Sequence, residues 1–243
     1  MASKSKSKVS PGLGFERIQH HRGSTFQDNS TVIIIPTRGM VHNKVVQSLM
    51  SMVAPMNTKR CIIWAEGDEV GKAYSKVIKE VLAHPDLSKW KYVLTLEDDN
   101  IQPPDAHIRL LESIELGPFD AVSGIYFTKG EVNMPMAYGD PAHYAATGEL
   151  EFRPRDIRQA LQTGSIMEVN GIAMGCSLYR MDMFRQIEGP WFVTVADWEE
   201  GKGGKSFTQD LYFCERAKKA GKRFAVDMRV HVGHLDINTG VVY

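Results

Sequence analysis

Lys91-Tyr92-Val93-Leu94-Thr95-Leu96-Glu97-Asp98-Asp99-Asn100-Ile101-Gln102-Pro103-Pro104 joins a short apolar run to three consecutive carboxylates and a double proline. Tyr92 to Leu96 has the length and bulk of a buried strand. The prolines forbid continuation as a helix or a central strand. The stretch therefore reads as a strand whose carboxyl end presents acids to a crevice, the place where open α/β sheets bind ligands. Three adjacent acids repel one another. They become favourable when a hard cation sits among them, and oxygen donors of this kind suit Mg2+ or Mn2+. In extended backbone, residues i and i+2 share a side, so Glu97 and Asp99 face one way and Asp98 the other. The competing reading is a solvated acidic turn ahead of the next helix.

Upstream, Thr31-Val32-Ile33-Ile34-Ile35-Pro36-Thr37-Arg38-Gly39 is a β-branched run stopped by proline, as in a central parallel strand buried on both faces. Asn43 to Met52 follows with helical spacing, which predicts Val45, Val46, Leu49, Met50 and Val53 on the inner side. Arg60 to Ala65 is a second apolar run and ends in Glu66-Gly67-Asp68. Val70 to Ala83 is a second amphipathic helix, with Tyr74, Val77, Ile78, Val81 and Leu82 facing in. The order β-α-β-α-β implies a parallel sheet with right-handed crossovers and helices on both faces. The ends of the three strands then share one sheet edge. Thr37-Arg38, Glu66 or Asp68, and Glu97/Asp99 are expected to converge there, with Arg38 meeting a phosphate, Glu66 or Asp68 a base or ribose hydroxyl, and the acids a metal.

Downstream, Asp105 to Glu115 reads as a helix capped by Asp105 with Ile108, Leu111 and Ile114 inward. Asp120 to Phe127 reads as a strand. Thr128 to Thr163 has weak periodicity and is expected to be an irregular insertion with a short hairpin near Leu150–Arg153. Met167 to Tyr179 is a strand pair or strand-turn whose small residues leave room for a ligand at the backbone. Arg180 to Ile187 is a short helix and Trp191 to Val195 a strand. Glu199 to Ser206 has the wrong glycine spacing for a phosphate loop and reads as a mobile, cationic, Gly-hinged loop. Thr208 to Gly221 is a well-marked helix with Asp210 in its first turn and lysines in its last. Lys222 to Asp227 is a strand. His231 and His234 follow it, and either imidazole could complete a carboxylate metal site, the bend at Gly233 deciding which.

The chain has 243 residues, 43% hydrophobic and 24% charged, with a formal net charge of +0. That is an ordinary globular composition of one large domain or two small ones, and it argues against bulk nucleic-acid binding. No apolar run approaches the ~20 residues of a membrane span, and no secretory signal is legible. The scattered cysteines Cys61, Cys176 and Cys214 suit reduced thiols in a cytoplasmic compartment. Residues 1–25, rich in Ser and Lys, are expected to form a flexible basic tail ahead of one domain over 26–243.

Four stretches in this order resemble the GT-A-fold, nucleotide-sugar-dependent glycosyltransferases of the family 2 type. Val32-Ile33-Ile34-Ile35-Pro36-Thr37-Arg38 resembles their first nucleotide-binding strand, and Leu96-Glu97-Asp98-Asp99 with Pro103-Pro104 their DxD strand end. Gly171 to Arg180 resembles their acceptor-side G-x-x-L-x-R region, and Gln209 to Gly221 their E-D-x-D-L-x-x-R-x-x-x-x-G helix. Glu97 stands in place of the first Asp of DxD, and Gln209 in place of the acid before Asp210. The resemblance implies an α/β, Rossmann-like fold with a mostly parallel central sheet and a smaller mixed acceptor-side sheet. Residues 26–127 would be the nucleotide-binding half and 128–243 the acceptor-binding half. It implies a nucleotide-diphosphate sugar as donor and a carbohydrate or other hydroxyl as acceptor. Pro36, Thr37, Arg38, Glu66, Asp68 and Asp98 would contact the donor. Glu97, Asp99 and His234, with His231 as the alternative, would hold Mn2+ or Mg2+. Asp210 would be the base of an inverting displacement, or the reaction would be retaining if Asp210 stands too far away. A sugar nucleotidyltransferase would carry a Gly/Lys-rich loop where Pro36-Thr37-Arg38-Gly39-Met40 stands, and a non-catalytic binding module would tolerate loss of the acids.

Overall fold

The computed structural model describes residues 28–56, 58–199 and 203–243, with backbone alone for 196–199 and 203–207. The expected basic tail, 1–25, lies outside the described residues. The elements run β1 (Thr31–Thr37), α1 (Asn43–Ser51), β2 (Arg60–Glu66), α2 (Val70–Ala83), β3 (Tyr92–Leu96), β4 (Asn100–Ile101), α3 (Ala106–Leu116) and β5 (Ala121–Ile125). They continue with β6 (Ala137–Tyr138), α4 (Pro141–Thr147), α5 (Arg158–Thr163), β7 (Ile166–Val169), β8 (Gly171–Ile172), β9 (Cys176–Arg180) and α6 (Met181–Gln186). The last are β10 (Val195–Glu199), β11 (Gly203–Phe207), α7 (Gln209–Lys219), β12 (Phe224–His231) and β13 (Gly233–His234).

The seven-stranded central sheet has the order β2-β1-β3-β9-β5-β12-β7. β2, β1 and β3 are parallel, as are β5 and β12, while β9 and β7 run the other way. Three two-stranded antiparallel sheets accompany it: β10-β11, β4-β13 and β6-β8. β1 and β3 are buried along their whole length, because the sheet is covered on both faces. Val32 and Ile34 pack with α2, α6 and α7 on one face. Ile33 and Ile35 pack with Leu49, Met52 and α3 on the other. α2 ends where the chain reaches His84-Pro85, since a residue before proline is driven out of the helical region. α7 is followed by Gly221, whose φ of +79° closes the turn.

Several local expectations are corrected. α1 buries Val45 and Ser48, and Leu49 and Met52 pack against the core, whereas Val46, Met50 and Val53 are exposed. Those three side chains lie on the outer side of α1, which no other described element covers. In α3 the buried stripe is His107, Leu110, Leu111 and Ile114, spaced i, i+3, i+4, i+7, and Ile108 falls off it. Asp105 occupies the cap position but gives its carboxylate to Arg109. Leu150–Arg153 forms no hairpin, and the insertion folds instead into α4 and α5. Asp140 caps α4, and Gly148 and Gly164 end the two helices at positive φ. Trp191 to Thr194 is not a strand. Trp191 and Phe192 are both buried, and the Phe192 backbone exchanges hydrogen bonds with the Ser75 hydroxyl rather than with a ladder. The expected mobile loop is, where described, the β10-β11 hairpin, with residues 200–202 outside the described set. The room at Gly171 and Gly175 is taken by protein: a Cβ on Gly171 would meet Phe152, and one on Gly175 would meet Asn100 and Tyr126.

His107 supplies a test of the packing between α3 and β1. It is fully buried, and its Nε2 lies 3.1 Å from Thr31 Oγ1. Burial, and then the charge of Arg60, push its pKa from 6.5 down to about 4. An unfolded histidine binds a proton in that interval and the folded one does not. Urea unfolding at stepped pH is therefore expected to show stability falling from pH 6.5 toward 4, with that component absent in His107→Gln. Wild-type and variant profiles of equal slope would contradict this packing.

Candidate nucleotide and metal cleft

Strand parallelism decides what meets at the carboxyl edge. β1, β2, β3 and β5 all end there, so their following residues face one crevice. A cleft of about 650 Å³ is lined by Pro36, Thr37, Arg38, Met40, Asp68, Glu69, Val70, Glu97, Asp98, Asp99, Lys129, Asp236, Ile237 and Asn238. Pro36, Thr37, Arg38, Asp68 and all three acids of the central stretch are thus brought together. Glu66 is not among these residues. It ends the edge strand β2 opposite Thr37 and is exposed.

Arg38 is exposed and forms no ion pair among the described residues, which leaves its guanidinium available to an anion. Asp68 is engaged by Lys72 at 2.7 Å and Lys76 at 3.5 Å. The N-terminus of α2 opens on the cleft at Val70, with Glu69 accepting from the Lys72 amide. The Glu69 carboxylate thus holds the first-turn amides that a phosphate would otherwise use, and only the helix dipole itself favours an anion there. Tyr74 on this helix donates to the Leu96 carbonyl at 2.9 Å, which ties α2 to the residue just before the acids.

The acids are placed by two devices. β3 ends at Leu96, and β4 pairs with β13 so that His234 stands opposite Asn100. The Leu235 amide donates to the Asp99 carbonyl at 2.8 Å, and His234 exchanges backbone hydrogen bonds with the C-terminal Tyr243 at 3.0 Å each way. A Cβ at position 233 would come within 2.6 Å of Val242, so glycine lets the C-terminal segment close on this turn. His234 Nε2 faces Asp99 Oδ2 at 3.6 Å, and its ring meets Tyr126 edge-on at 5.4 Å. His231 is exposed at the end of β12. Of the two histidines, His234 is the one beside the acids.

The hydrogen bonding of His234 carries chemical information. Nδ1 lies 2.7 Å from the Phe127 carbonyl oxygen. A carbonyl only accepts, so Nδ1 carries a proton; Nε2 donates to Asp99 when the ring is protonated and presents a lone pair to it when the ring is neutral. With the neutral ring, two acceptors face each other across 3.6 Å, and Lys129 Nζ, paired with the same Asp99 oxygen, supplies the positive charge this needs until a cation takes its place. A histidine ligand with its other nitrogen bonded to a carbonyl is the usual arrangement at metal centres. The residues fit a divalent cation in this respect. Among the described residues no three His, Cys, Asp or Glu side chains are gathered as a closed cluster. Glu97 therefore does not complete a preformed triad with Asp99 and His234. An open two-ligand site suits Mg2+-type ions, which take one or two protein ligands together with substrate phosphates.

Charge in the crevice is only partly balanced. Lys129, the second residue of the insertion, pairs with Asp99. Burial would raise the Asp99 carboxyl, but His234 and Lys129 together hold it below its usual range. Glu97 has no such partner. Burial, then the charges of Asp99, Asp210 and Asp98, push its carboxyl up to about 8, with Lys129 opposing. Asp210, in the first turn of α7, is 7% exposed and accepts from the Leu211 amide at 2.9 Å. Burial raises its pKa, against hydrogen bonds from Thr208 and Leu211. A carboxyl held toward neutrality beside other acids is the environment of a proton-transfer group.

Sequence reading missed Lys129, Glu69 and the Asp236–Asn238 turn. Lys129 was accessible in principle: it lies just beyond a strand parallel to β3, on the same edge. The C-terminal turn carries no comparable signal, because only the β13 pairing folds it back.

No protein-family model matches the chain, and no curated protein matches it. Solved structures do share its fold. The crystal structure of A197 from STIV superposes with a TM-score of 0.57 at 16% identity, covering 85% of this chain and 86% of that one. GalNAc-T7, solved with UDP, GalNAc and Mn2+, gives a TM-score of 0.54 at 9% identity. That match covers 86% of this chain but 44% of GalNAc-T7, so the chain spans less than half of that protein. The fold is GT-A-like: a mostly parallel α/β sheet flanked by helices with small antiparallel sheets at its side. Among the described residues no helix is long and apolar enough to cross a membrane, and the three cysteines are free.

Asp210→Asn keeps an acceptor for the Leu211 amide and removes a buried charge. The variant is expected to melt about 2–4 °C above wild type at pH 8, as for ~1 kcal/mol in a protein of this size. A lower midpoint in calorimetry would show that the Asp210 carboxylate is better compensated than its surroundings indicate.

Proposed function

We propose that this protein is a metal-dependent glycosyltransferase that moves a sugar from a nucleotide-diphosphate sugar to an acceptor hydroxyl. The observation that carries the reading is the facing of Asp99 Oδ2 and His234 Nε2 at 3.6 Å, with Nδ1 committed to Phe127, on the wall of a cleft that a helix N-terminus also enters. The GT-A-like fold and the bound UDP, GalNAc and Mn2+ of GalNAc-T7 are consistent with it.

In this reading residues 26–127 supply the donor site and 128–243 the acceptor side. Pro36, Thr37 and Arg38 border the nucleotide, with the Arg38 guanidinium directed at phosphate oxygens. Asp68, steadied by Lys72 and Lys76, accepts from a ribose hydroxyl or base. Asp98 lines the donor side of the same wall. Asp99 and His234 would hold Mn2+ or Mg2+, with Glu97 next to them. The cation supplies charge neutralisation of the leaving diphosphate. Lys129 adds a second positive charge on the same side. Asp210 accepts the proton of the acceptor hydroxyl as its oxygen forms the new bond to the anomeric carbon. The bond from that carbon to the diphosphate oxygen breaks, and the configuration inverts. The raised pKa of Asp210 makes it a better proton acceptor than a solvated aspartate.

A panel of nucleoside diphosphates, each with and without Mn2+, tests the donor site by thermal melting. At a hundredfold excess over Kd the preferred diphosphate is expected to stabilise by about 2.7 kcal/mol, a rise of roughly 5–10 °C. The rise should require Mn2+ and vanish in Asp99→Ala. Stabilisation indifferent to both would remove the metal from the reading.

Asp210→Asn is expected to retain that Mn2+-dependent shift and to lose transfer by about 10²–10⁴-fold. The anomeric configuration of the product, read by NMR, should be opposite to that of the donor. Unchanged turnover in Asp210→Asn would dismiss it as the base.

A further inference from the structure

β2 is a seven-residue edge strand without proline or lysine, paired on one side by β1. Edge strands are normally blunted by such residues, by bulges or by brevity. Instead its outward face is Arg60, Ile62, Trp64 and Glu66, with Ile62 48% and Trp64 42% exposed. Read from either end, this face is self-complementary about Ile63. Arg60 lies as far from Ile63 as Glu66 does, and Ile62 as far as Trp64.

We propose that two copies of this chain associate by antiparallel pairing of their β2 strands about a two-fold axis at Ile63. Arg60 then faces Glu66 of the second copy and Ile62 faces its Trp64, each pair occurring twice, as an isologous interface requires. Cross-strand pairs of opposite charge and of apolar side chains are the stabilising ones.

The backbone permits this register. The Thr31 amide donates to the Lys59 carbonyl at 3.0 Å, and Thr31 is in register with Arg60. In a parallel ladder Thr31 therefore bonds Lys59 and Cys61, so alternate residues Cys61, Ile63 and Ala65 turn their amides and carbonyls to β1. Arg60, Ile62, Trp64 and Glu66 turn theirs to the open edge. Those four form the hydrogen-bonded pairs of an antiparallel ladder, and Ile63 sits on the axis as a non-hydrogen-bonded pair. A centre moved to Ile62 would set Arg60 against Trp64 and leave Glu66 without its arginine.

Ile62 and Trp64 are in register with Ile33 and Ile35, which pack on Leu49 and Met52. They therefore lie on the α1 side of the sheet. The joined sheet is antiparallel at its centre, so the two clefts open at opposite edges. Glu66 belongs to this surface rather than to the cleft wall.

Sedimentation equilibrium of the full chain at micromolar concentration is expected to give twice the 27.2 kDa chain mass. Trp64→Lys should give a monomer. Arg60→Glu and Glu66→Arg should each weaken association by about tenfold, and the double reversal should recover it. Independently, Ile63→Cys in a Cys61→Ser background should cross-link on mild oxidation, because non-hydrogen-bonded partners lie about 4.5 Å apart at Cα, within disulfide range. A wild-type monomer at tens of micromolar, a dimer that survives Trp64→Lys, or a double reversal no better than the single changes would overturn the proposal. Should Trp64→Lys fail to fold, as judged by circular dichroism, the presence or absence of the Ile63 cross-link decides.

Discussion

Four carboxylates share one poorly solvated corner, and the chain must supply positive charge or protons to keep them there. Glu97, Asp98 and Asp99 leave the end of β3 together, and Asp210 enters from α7 close enough to raise Glu97. Concentrated negative charge of this kind opposes folding unless it is paired, protonated or bridged. Pairing and protonation are both visible. Lys129 and His234 attend Asp99, Glu97 rises to about 8, and Asp210 is held toward neutrality. Asp99 Oδ2 takes Lys129 and stands 3.6 Å from His234 Nε2.

The surrounding architecture serves to hold that corner rigid. β3 is buried along its length, so its end cannot shift without disturbing both core layers. Tyr74 fixes the Leu96 carbonyl from below, and the β4-β13 pair fixes Asp99 from the side. Tyr126 donates no freedom to the site either: its hydroxyl accepts from the Gly175 amide at 2.8 Å, and its ring braces His234. Preorganisation of this type lets charge be stabilised without rearrangement when a ligand arrives. The cation and the phosphates would complete the corner rather than build it.

Much of this was legible in the sequence where burial is two-sided and local signals agree. Val32–Ile35 and Tyr92–Leu96 are continuous apolar runs because both faces of their strands are covered. α2 and α7 announced themselves by an apolar stripe and, for α7, by a terminal glycine. One-sided situations misled. Val46 and Met50 look like core in a helical pattern, but they lie on the exposed side of α1. Residues 137–165 could not be read because α4 and α5 are short and owe their ends to Asp140, Gly148 and Gly164 rather than to periodicity. In the corner itself, the acids and Asp210 were expected from position on a strand end and a helix start. The order of His234 before His231 came only from the family resemblance, since which imidazole lies beside the acids depends on how Gly233 admits Val242.

The most direct measurement is pulsed electron paramagnetic resonance of Mn2+ bound to the protein together with a nucleoside diphosphate. A cation seated against His234 Nε2 should show the nitrogen coupling of a directly ligated imidazole. That coupling should disappear in His234→Gln and persist in His231→Gln. Absence of nitrogen coupling in the wild-type protein, or its survival in His234→Gln, would mean that the facing of Asp99 and His234 is not where the metal binds.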